Sequence, residues 1–353
     1  MRVIMLIDMD YFYVACEELR NKEVGARPTI VGSDPKQGAG RGVVMTCNYA
    51  ARKFGIRSGM PISMAYRLRP DALYLPLDYE YYESISRRIM GRIEGFADKF
   101  EQVSIDEAFI DVSEKIRSYG KAMEYAEEIR RDILESVGIK CSIGIGPNKL
   151  IAKMACERAK PNGVMAVGES EVRGFLLESK IEDLYGIGAK TAERLRKLGY
   201  GTVEQLAKAD SMVLAENFGA PFGAELKAFA SGIDEREVVG NYDIKSISRE
   251  FTFEKDTKNS QEIKEAIGRL SKEVAKDVEK NQVAFKTITL KLRYFDFSEH
   301  LHSRSVKATS SLETVIRTAC GLYDDNVEKN KDVRKIGVRV SGLVSYKGQK
   351  RFA

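Results

Sequence analysis

The sequence predicts a protein of the α+β class that contains several domains. Its 353 residues exceed what one ordinary hydrophobic core accommodates. In the first half of the chain, short apolar segments typical of strands alternate with longer amphipathic segments typical of helices. Past residue 167 short helices follow one another, and the last third alternates strands and helices again. We therefore expect an α+β region, a helical region and a second region that contains both.

Composition narrows the possible functions. Hydrophobic residues make up 43% of the chain and charged residues 31%, as in globular proteins. No apolar run is long enough to span a membrane, and the N-terminal run is interrupted by Asp8 before it reaches signal-peptide length. The five cysteines are odd in number and lie far apart, which favours reduced thiols over disulfides or a zinc site. We expect a cytoplasmic protein with no membrane partner. Its two histidines give Ser-His or Cys-His catalysis little basis.

The chain begins with an apolar strand over residues 3–10 that ends in two acids, Asp8 and Asp10. Side chains alternate along a strand, so both acids should project from one face of the sheet. About a hundred residues later, Asp106 and Glu107 interrupt a second apolar, β-rich segment. Unpaired buried carboxylates are costly, and an all-oxygen donor set favours Mg²⁺ or Mn²⁺ over zinc. The alternative is that each acidic pair belongs to an ordinary turn or helix cap.

Further elements of the same layer follow in order: a helix over 11–19, strands over 27–32 and 43–47, helices over 48–55, 78–100 and 118–137, a strand over 140–146 and a helix over 147–159. On the short helix over 48–55, Tyr49 and Arg52 are three residues apart and share a face. A guanidinium group forms paired hydrogen bonds with phosphate oxygens, so this face suits a phosphate chain.

The segment Gly186-Ile187-Gly188 predicts a helix-hairpin-helix. Glycines between two helices allow backbone N–H groups to approach a DNA phosphate closely. Lys190 and Arg194 follow on the next predicted helix, which strengthens the interpretation. The alternative is an ordinary glycine-rich turn between helices.

The C-terminal third carries an excess of positive charge. Residues 241–353 contain 23 Lys and Arg against 16 Asp and Glu, which leaves a small negative balance for residues 1–240. In the predicted strand over 286–294, Lys291 and Arg293 alternate with buried apolar positions. A second strand, over 334–341, carries Arg334 and Arg339 in the same manner. One basic, hydroxyl-bearing sheet face suits a sugar-phosphate backbone. The alternative is a merely solvated surface.

Taken together, these segments resemble the Y-family DNA polymerases, and most closely the archaeal members of their DinB-like branch, the DNA polymerase IV group. Six motifs carry the resemblance in the right order: Asp8-Met9-Asp10-Tyr11-Phe12-Tyr13, Asn48-Tyr49-Ala50-Ala51-Arg52-Lys53-Phe54-Gly55, Ser104-Ile105-Asp106-Glu107-Ala108, Gly144-Ile145-Gly146-Pro147-Asn148-Lys149, Ala159-Lys160-Pro161-Asn162-Gly163 and Gly186-Ile187-Gly188. The resemblance implies a right-hand architecture with a palm over 1–10 and 77–166, fingers over 11–76, a helical thumb over 167–233, a linker over 234–240 and a DNA-binding little finger over 241–353.

The same resemblance implies a role for each site residue. Asp8, Asp106 and Glu107 are the catalytic acids and, with the Met9 carbonyl, would hold two Mg²⁺ ions, for which Mn²⁺ could substitute. Asp10 would support these ligands rather than bind metal. The implied nucleotide-binding residues are Phe12, Tyr13, Thr46, Tyr49, Arg52 and Lys160, and Tyr13 would be the steric gate against ribonucleotides.

The implied activity is template-directed DNA synthesis of low fidelity past damaged bases, with dNTPs as substrates and primer-template DNA as the partner of a monomer. The template-base pocket would contain Ser33, Val43, Met45 and Gly59, and Met45 is larger than the residue that relatives commonly carry there. The implied DNA contacts are Gly186, Gly188, Lys190, Lys291, Arg293, Arg334 and Arg339. Relatives usually end in a sliding-clamp peptide with paired aromatics, whereas this chain ends at Gln349-Lys350-Arg351-Phe352-Ala353.

Two other functions use some of these features. A nucleotidyl cyclase shares the acidic palm-like sheet, but it would form its site across a dimer and leave the hairpin and the basic sheet unexplained. An inactive DNA-binding relative would retain the basic surfaces, but it would not need the complete set of metal ligands.

Overall fold

The computed structural model describes residues 1–240 and 244–345. Contacts between residues divide the chain into two compact units, Met1–Asn241 and Tyr242–Ala353. The C-terminal residues considered for clamp binding lie outside the described part. Within the described ranges, no helix has both the length and the apolar character needed to cross a membrane.

Thirteen strands and thirteen α-helices are assigned within the described residues. The strands are β1 (Ile4–Met9), β2 (Thr29–Gly32), β3 (Val44–Cys47), β4 (Leu73–Leu75), β5 (Lys99–Gln102), β6 (Glu107–Asp111), β7 (Cys141–Gly146), β8 (Val164–Ala166), β9 (Ser246–Thr257), β10 (Val283–Tyr294), β11 (Glu299–Thr309), β12 (Val333–Ser341) and β13 (Val344–Ser345). The helices are α1 (Phe12–Arg20), α2 (Tyr49–Arg52), α3 (Ile62–Leu68), α4 (Tyr79–Phe96), α5 (Tyr119–Val137), α6 (Lys149–Ala159), α7 (Val172–Leu177), α8 (Ala189–Lys197), α9 (Val203–Ala207), α10 (Ser211–Phe218), α11 (Ala220–Ala230), α12 (Ser260–Lys280) and α13 (Leu312–Asn326).

The palm sheet has the strand order β5-β6-β1-β7-β8, with β1 at its centre. Every residue of β1 is buried, which explains the unbroken apolar run in the sequence. The odd-numbered apolar residues of β1 join the core formed with α4 and α5, whereas Ile4 and Leu6 cluster with Ala152 and Cys156 of α6. Because side chains alternate along a strand, Asp8 lies on the same face as Ile4 and Leu6 and projects toward α6.

The acidic segment differs from the predicted continuous strand. The predicted helix over 78–100 ends at Phe96, and β5 begins at Lys99. The chain then leaves the sheet before returning at Glu107. In this turn the Ser104 hydroxyl accepts hydrogen bonds from the backbone N–H groups of Asp106 and Glu107. Asp106 therefore lies in a turn, and Glu107 is the first residue of β6.

A three-stranded sheet of order β3-β2-β4 forms the core of the fingers. It has its own small hydrophobic cluster, which contains Ile30, Val44, Ile56 and Ile62. The Asn48 side chain accepts a hydrogen bond from the Ala51 N–H and thereby begins α2. The aromatic and apolar side chains of α1 instead join the palm core.

The thumb consists of short helices, as the sequence predicts. The glycine motif lies between a 3₁₀ helix over Ile181–Asp183, which follows α7, and helix α8. Gly186 has a φ of +85°, a conformation that favours glycine. Gly188 then begins α8, on which Lys190 and Arg194 lie.

The C-terminal unit is an antiparallel sheet of order β11-β10-β12-β9, with β13 pairing beside β10. The predicted alternation is present: Ile288, Leu290, Leu292 and Tyr294 are fully buried and join the core formed with α12 and α13. Their neighbours along β10 project from the other face of the sheet.

The segment over 234–240, which the sequence predicts to be a linker, packs against the palm and is hydrogen-bonded to it. We call this segment the strap. Val238 is buried with Ile4 and Leu6. The Val239 N–H donates to the Glu101 carboxylate, and the Leu150 N–H donates to Asp234. A polar stretch that indicates a free linker in the sequence is therefore a strap across the palm sheet and α6.

Candidate active site

A cavity of about 170 Å³ lies where β1, α1, β3 and α2 meet. It gathers residues that are far apart in the sequence: Asp8, Met9, Asp10, Tyr11, Phe12, Tyr13, Met45, Thr46, Tyr49, Arg52, Ser58, Asp106 and Lys160. All six predicted nucleotide-binding residues therefore lie around one space. Glu107, the third predicted catalytic acid, lies outside this lining and beside Asp8.

Strand pairing brings the predicted metal-binding acids together. Asp8 on β1 is directly opposite Glu107 on β6. The Met9 N–H donates to the Asp106 carbonyl oxygen over 2.9 Å, which holds the acidic turn against the end of β1. Burial raises the pKa of both Asp106 and Glu107, and the neighbouring Asp8 charge raises each of them further. A nearby cation is needed to keep such a cluster ionised at low cost.

Two lysines supply positive charge to this cluster. The Lys153 ammonium lies 2.6 Å from Glu107 Oε2 and 3.3 Å from Asp8 Oδ2. The Lys160 ammonium lies 2.9 Å from the same Asp8 oxygen. Burial lowers the pKa of Lys160, but the charges of Asp8 and Glu157 outweigh this effect and the net pKa is raised. Both side chains therefore remain charged.

The donor set fits a hard divalent cation. Three carboxylates and the Met9 backbone meet at the end of β1, and oxygen ligands are those that Mg²⁺ and Mn²⁺ prefer. Within residues 1–240 and 244–345, no group of three or more acidic, histidine or cysteine side chains is already arranged as a cation cage. Asp8 and Glu107 instead point to the two ammonium groups, so they would have to exchange these partners for metal.

Asp10 has different partners from Asp8, and they account for its burial. Its carboxylate accepts hydrogen bonds from the Tyr49 hydroxyl, the Ser142 hydroxyl and the Asn162 N–H, over 3.2, 3.0 and 2.7 Å. Burial raises the pKa of Asp10, whereas these three hydrogen bonds lower it. Asp10 thus links α2 to the loop that carries Lys160.

The predicted phosphate-binding pair shares one face of α2, as the spacing predicts. The Arg52 guanidinium lies 4.8 Å from the centre of the Tyr49 ring. Its Nε donates to the Cys47 carbonyl oxygen, which fixes the base of the side chain. Tyr11 also contacts Tyr49, edge-to-face, with the two ring centres 5.3 Å apart. These contacts preorganise the pair at the cavity wall.

Tyr13 is held by an aromatic cluster. Its ring lies 4.8 Å from the ring of Tyr82, which is fully buried, and 6.3 Å from the ring of Tyr79. Phe12 is almost completely buried beside it. A ring supported on this side cannot move away easily when a substrate approaches from the cavity.

The predicted template-base residues are neighbours on the fingers sheet. The Ser33 N–H donates to the Val43 carbonyl oxygen, and the Gly59 N–H donates to the Val44 carbonyl oxygen. Val44 points into the core, so Val43 and Met45 project from the opposite face. Of the four predicted residues, only Met45 reaches the cavity lining.

Comparisons with known proteins identify the family. Residues 7–157 match the impB/mucB/samB family, and residues 244–351 match the impB/mucB/samB family C-terminal domain. The chain is 41% identical to DNA polymerase IV 2 of Methanosarcina mazei, over 97% of this chain and 92% of that protein. It is 42% identical to DNA polymerase IV of Methanoculleus marisnigri, over 97% and 94%.

A solved Y-family DNA polymerase chimera of Dbh and Dpo4 has a TM-score of 0.89 and 30% identity, over 97% of this chain and 99% of the other. The chain belongs to the Y-family DNA polymerases. DinB from Sulfolobus solfataricus is also similar, with a TM-score of 0.65 and 29% identity over 98% and 100% of the two chains. These similarities confirm the predicted family and fold class. Y-family polymerases are metal-dependent nucleotidyltransferases that copy a DNA template.

The basic side chains that are predicted to contact DNA in this Y-family chain differ in how many carboxylates lie beside them. Lys291 contacts both Glu250 and Glu299, and Arg293 also pairs with Glu299. Arg334 lies at an irregularity in β12, where its guanidinium is 3.8 Å from Asp256 and 4.6 Å from the centre of the Phe297 ring. Arg339 is exposed and lies opposite Thr289 and Ser248. The basic face predicted from the sequence is therefore partly neutralised.

Sequence reasoning missed several residues of this polymerase site. Lys153 and Glu157 contact the acidic cluster or its lysines, and Ser104 and Ser142 orient Asp106 and Asp10. Ser58 lines the cavity. The spacing of Lys153 and Glu157 on a helix whose start was predicted indicates that they share a face, but it does not show that this face meets the acids. The serines give no comparable signal.

Proposed function

We propose that this chain adds dNTPs to the 3′-hydroxyl of a primer as a template directs, with release of pyrophosphate, and that it continues past damaged template bases. The convergence of Asp8, Asp106 and the predicted phosphate-binding residues around one cavity, with Glu107 beside Asp8, carries this proposal. Similarity to DNA polymerase IV over nearly the whole chain supports it. A nucleotidyl cyclase would leave the C-terminal unit without a role.

Asp8, Asp106, Glu107 and the Met9 carbonyl are the residues that would hold two Mg²⁺ ions, with Mn²⁺ as a substitute. The all-oxygen donor set and its proximity across β1 and β6 support this assignment. When bound, the ions would activate the primer hydroxyl and neutralise charge on the triphosphate and the leaving pyrophosphate. The protein contributes the strand pair that carries Asp8 and Glu107 and the turn that carries Asp106.

Tyr49, Arg52 and Lys160 would bind the triphosphate, and Thr46 would assist them. The Lys160 ammonium already lies at the cavity, and its charge is secured by Asp8 and Glu157. Arg52 presents a planar donor pair beside Tyr49, which suits phosphate oxygens. These cations would orient the β and γ phosphates and hold their charge while the bond to the α phosphate breaks.

Tyr13 would select the sugar. Its ring packs against Tyr82 and cannot move aside, so a ribose 2′-hydroxyl would collide with it. Phe12 would form the apolar floor beneath the sugar. Ser33, Val43, Met45 and Gly59 would cover the template base, and this thin cover would account for low fidelity and for tolerance of damaged bases.

The remaining partners follow from the same proposal. Primer-template DNA would contact Gly186, Gly188 and Lys190 in the thumb and the outer sheet face of the C-terminal unit. We also propose a cytoplasmic location and action as a monomer, and the five unpaired cysteines support a reducing compartment. The proposed partners include a sliding clamp, which would bind the C-terminal residues.

Primer extension tests the function. The chain should extend a primed template with Mg²⁺ and dNTPs, and Asp106→Asn should reduce the rate by at least about a thousandfold because it removes a metal ligand without changing side-chain size. Lys208→Met, an exposed change in the thumb, is the matched control and should retain the wild-type rate. Tight DNA binding by wild-type protein without extension would leave only a binding module.

A further inference from the structure

Lys153 has no place in the proposed nucleotide contacts, yet it makes the shortest ion pair in the acidic cluster. Its ammonium lies between three carboxylates: Glu107 at 2.6 Å, Glu157 at 3.1 Å and Asp8 at 3.3 Å. Only 17% of the side chain is exposed. Lys153 is absent from the residues that line the cavity, so an incoming triphosphate would meet Lys160 rather than Lys153.

The position of Lys153 follows from the fold. Asp8 and Glu107 face each other across β1 and β6 on the side of the sheet that α6 covers. Without a cation, two carboxylates at such a position repel each other and lose solvation. The ammonium bridges them with a single positive charge, which compensates one of the two negative charges.

Glu157 gives this ammonium a second partner. It lies four residues further along α6, one helical turn away, and its side chain is half exposed. Burial raises the pKa of Glu157, but Lys160 and Lys153 lower it more strongly, so Glu157 stays ionised. Lys153 could therefore leave Asp8 and Glu107 without losing every ion pair.

We propose that Lys153 is an internal counterion for the metal-binding acids. It bridges Asp8 and Glu107 before metal binds, and a divalent cation displaces it toward Glu157. This positioning residue thereby sets the concentration of divalent cation at which the site fills. The inference rests on the metal site of the proposed function and adds to it a residue that opposes metal binding.

Metal titration without nucleotide or DNA tests the inference in the full chain. We would measure the Mn²⁺ dissociation constant by electron paramagnetic resonance for wild type, Lys153→Met, Lys153→Arg and Glu157→Gln. Lys153→Met should bind Mn²⁺ about tenfold more tightly, because the ammonium that bridges Asp8 and Glu107 no longer has to be displaced and only Lys160 still contacts Asp8. Lys153→Arg keeps the charge and should stay within about threefold of wild type. Glu157→Gln should bind about threefold more weakly, because Lys153 loses its alternative partner.

A purely structural role predicts a different pattern, in which Lys153→Met and Glu157→Gln both weaken binding. That result, or an unchanged constant in Lys153→Met, would overturn the inference. Lys208→Met controls for the loss of a remote positive charge. Asp8→Asn separates the two proposals: if it leaves Mn²⁺ binding unchanged, or if wild type binds no Mn²⁺, the metal site itself is wrong.

A measurement on wild type alone does not depend on how the variants fold. Crystal structures with and without Mn²⁺ should show Lys153 Nζ in contact with Asp8 and Glu107 only in the metal-free state, and in contact with Glu157 in both. Persistence of all three contacts with Mn²⁺ bound to the acids would contradict displacement.

Discussion

At the scale of single residues, the support behind Tyr13 decides how well it can select a sugar. The Tyr82 ring lies 4.8 Å away and is itself fully buried, so Tyr13 cannot retreat without disturbing the palm core. Because packed cores resist displacement, a steric gate on such a support should discriminate strongly.

Tyr13→Ala should therefore raise ribonucleotide incorporation by about two orders of magnitude, with a change of only a fewfold for dNTPs. Single-nucleotide incorporation with matched dNTP and rNTP would measure the ratio. Tyr13→Phe is the control, since it retains the ring and should retain the selectivity. An unchanged preference in Tyr13→Ala would remove Tyr13 from this role.

The sequence predicts those residues of the site that belong to short local motifs. Asp8, Tyr49, Arg52 and Lys160 belong to such motifs, and the structure places them around one cavity. Lys153 and Ser142 contact acids that are distant in the sequence, and Ser104 contacts Asp106 within an irregular turn. No periodicity shows that a helical lysine faces two acids from other elements.

At the scale of elements, α6 and the strap over 234–240 act together. Lys149, at the start of α6, is buried and forms two short hydrogen bonds with the buried Glu101 carboxylate, which also accepts from the Val239 N–H. Four residues further, the same helix presents Lys153 to the acidic cluster. The strap thus fixes the helix that carries the counterion.

Breaking this buried pair should be costly. Lys149→Met leaves the Glu101 charge without its ammonium, so we expect a loss of about 3–5 kcal/mol in the free energy of unfolding. The double variant Lys149→Met with Glu101→Gln should be less destabilised than the sum of the two single variants. Urea denaturation would measure all three. Additive losses would show that the two side chains act independently.

The elements also show where sequence patterns stop being informative. Helical periodicity continues past the true end of α4, so the predicted helix over 78–100 includes the start of β5. The strap contains charged residues typical of a solvated linker, but Asp234 and Val238 are buried. The Leu150 N–H that donates to Asp234 and the apolar partners of Val238 come from elements more than eighty residues away, which local composition does not reveal.

At the scale of the whole molecule, net charge gives only a coarse account of DNA binding. The C-terminal third is basic in sequence, but on the outer face of its sheet Lys291, Arg293 and Lys335 are paired with Glu250 or Glu299. Sequence counts cannot show this pairing, because it depends on the register of β9, β10, β11 and β12. Arg339 and hydroxyl groups such as those of Ser248 and Ser303 also belong to this face.

Arg339 should therefore contribute more to DNA binding than Lys291 does. It is exposed, and its strand neighbour Ser248 is exposed as well, so that both can contact a phosphate. Arg339→Ala should weaken primer-template binding uniformly across sequences and reduce the slope of log affinity against log salt by about one. Lys291→Met should have a smaller effect, because its charge is already shared by Glu250 and Glu299. Fluorescence anisotropy over a range of salt concentrations would measure both slopes. A larger change for Lys291→Met would show that DNA displaces the carboxylates and binds the paired half of the sheet instead.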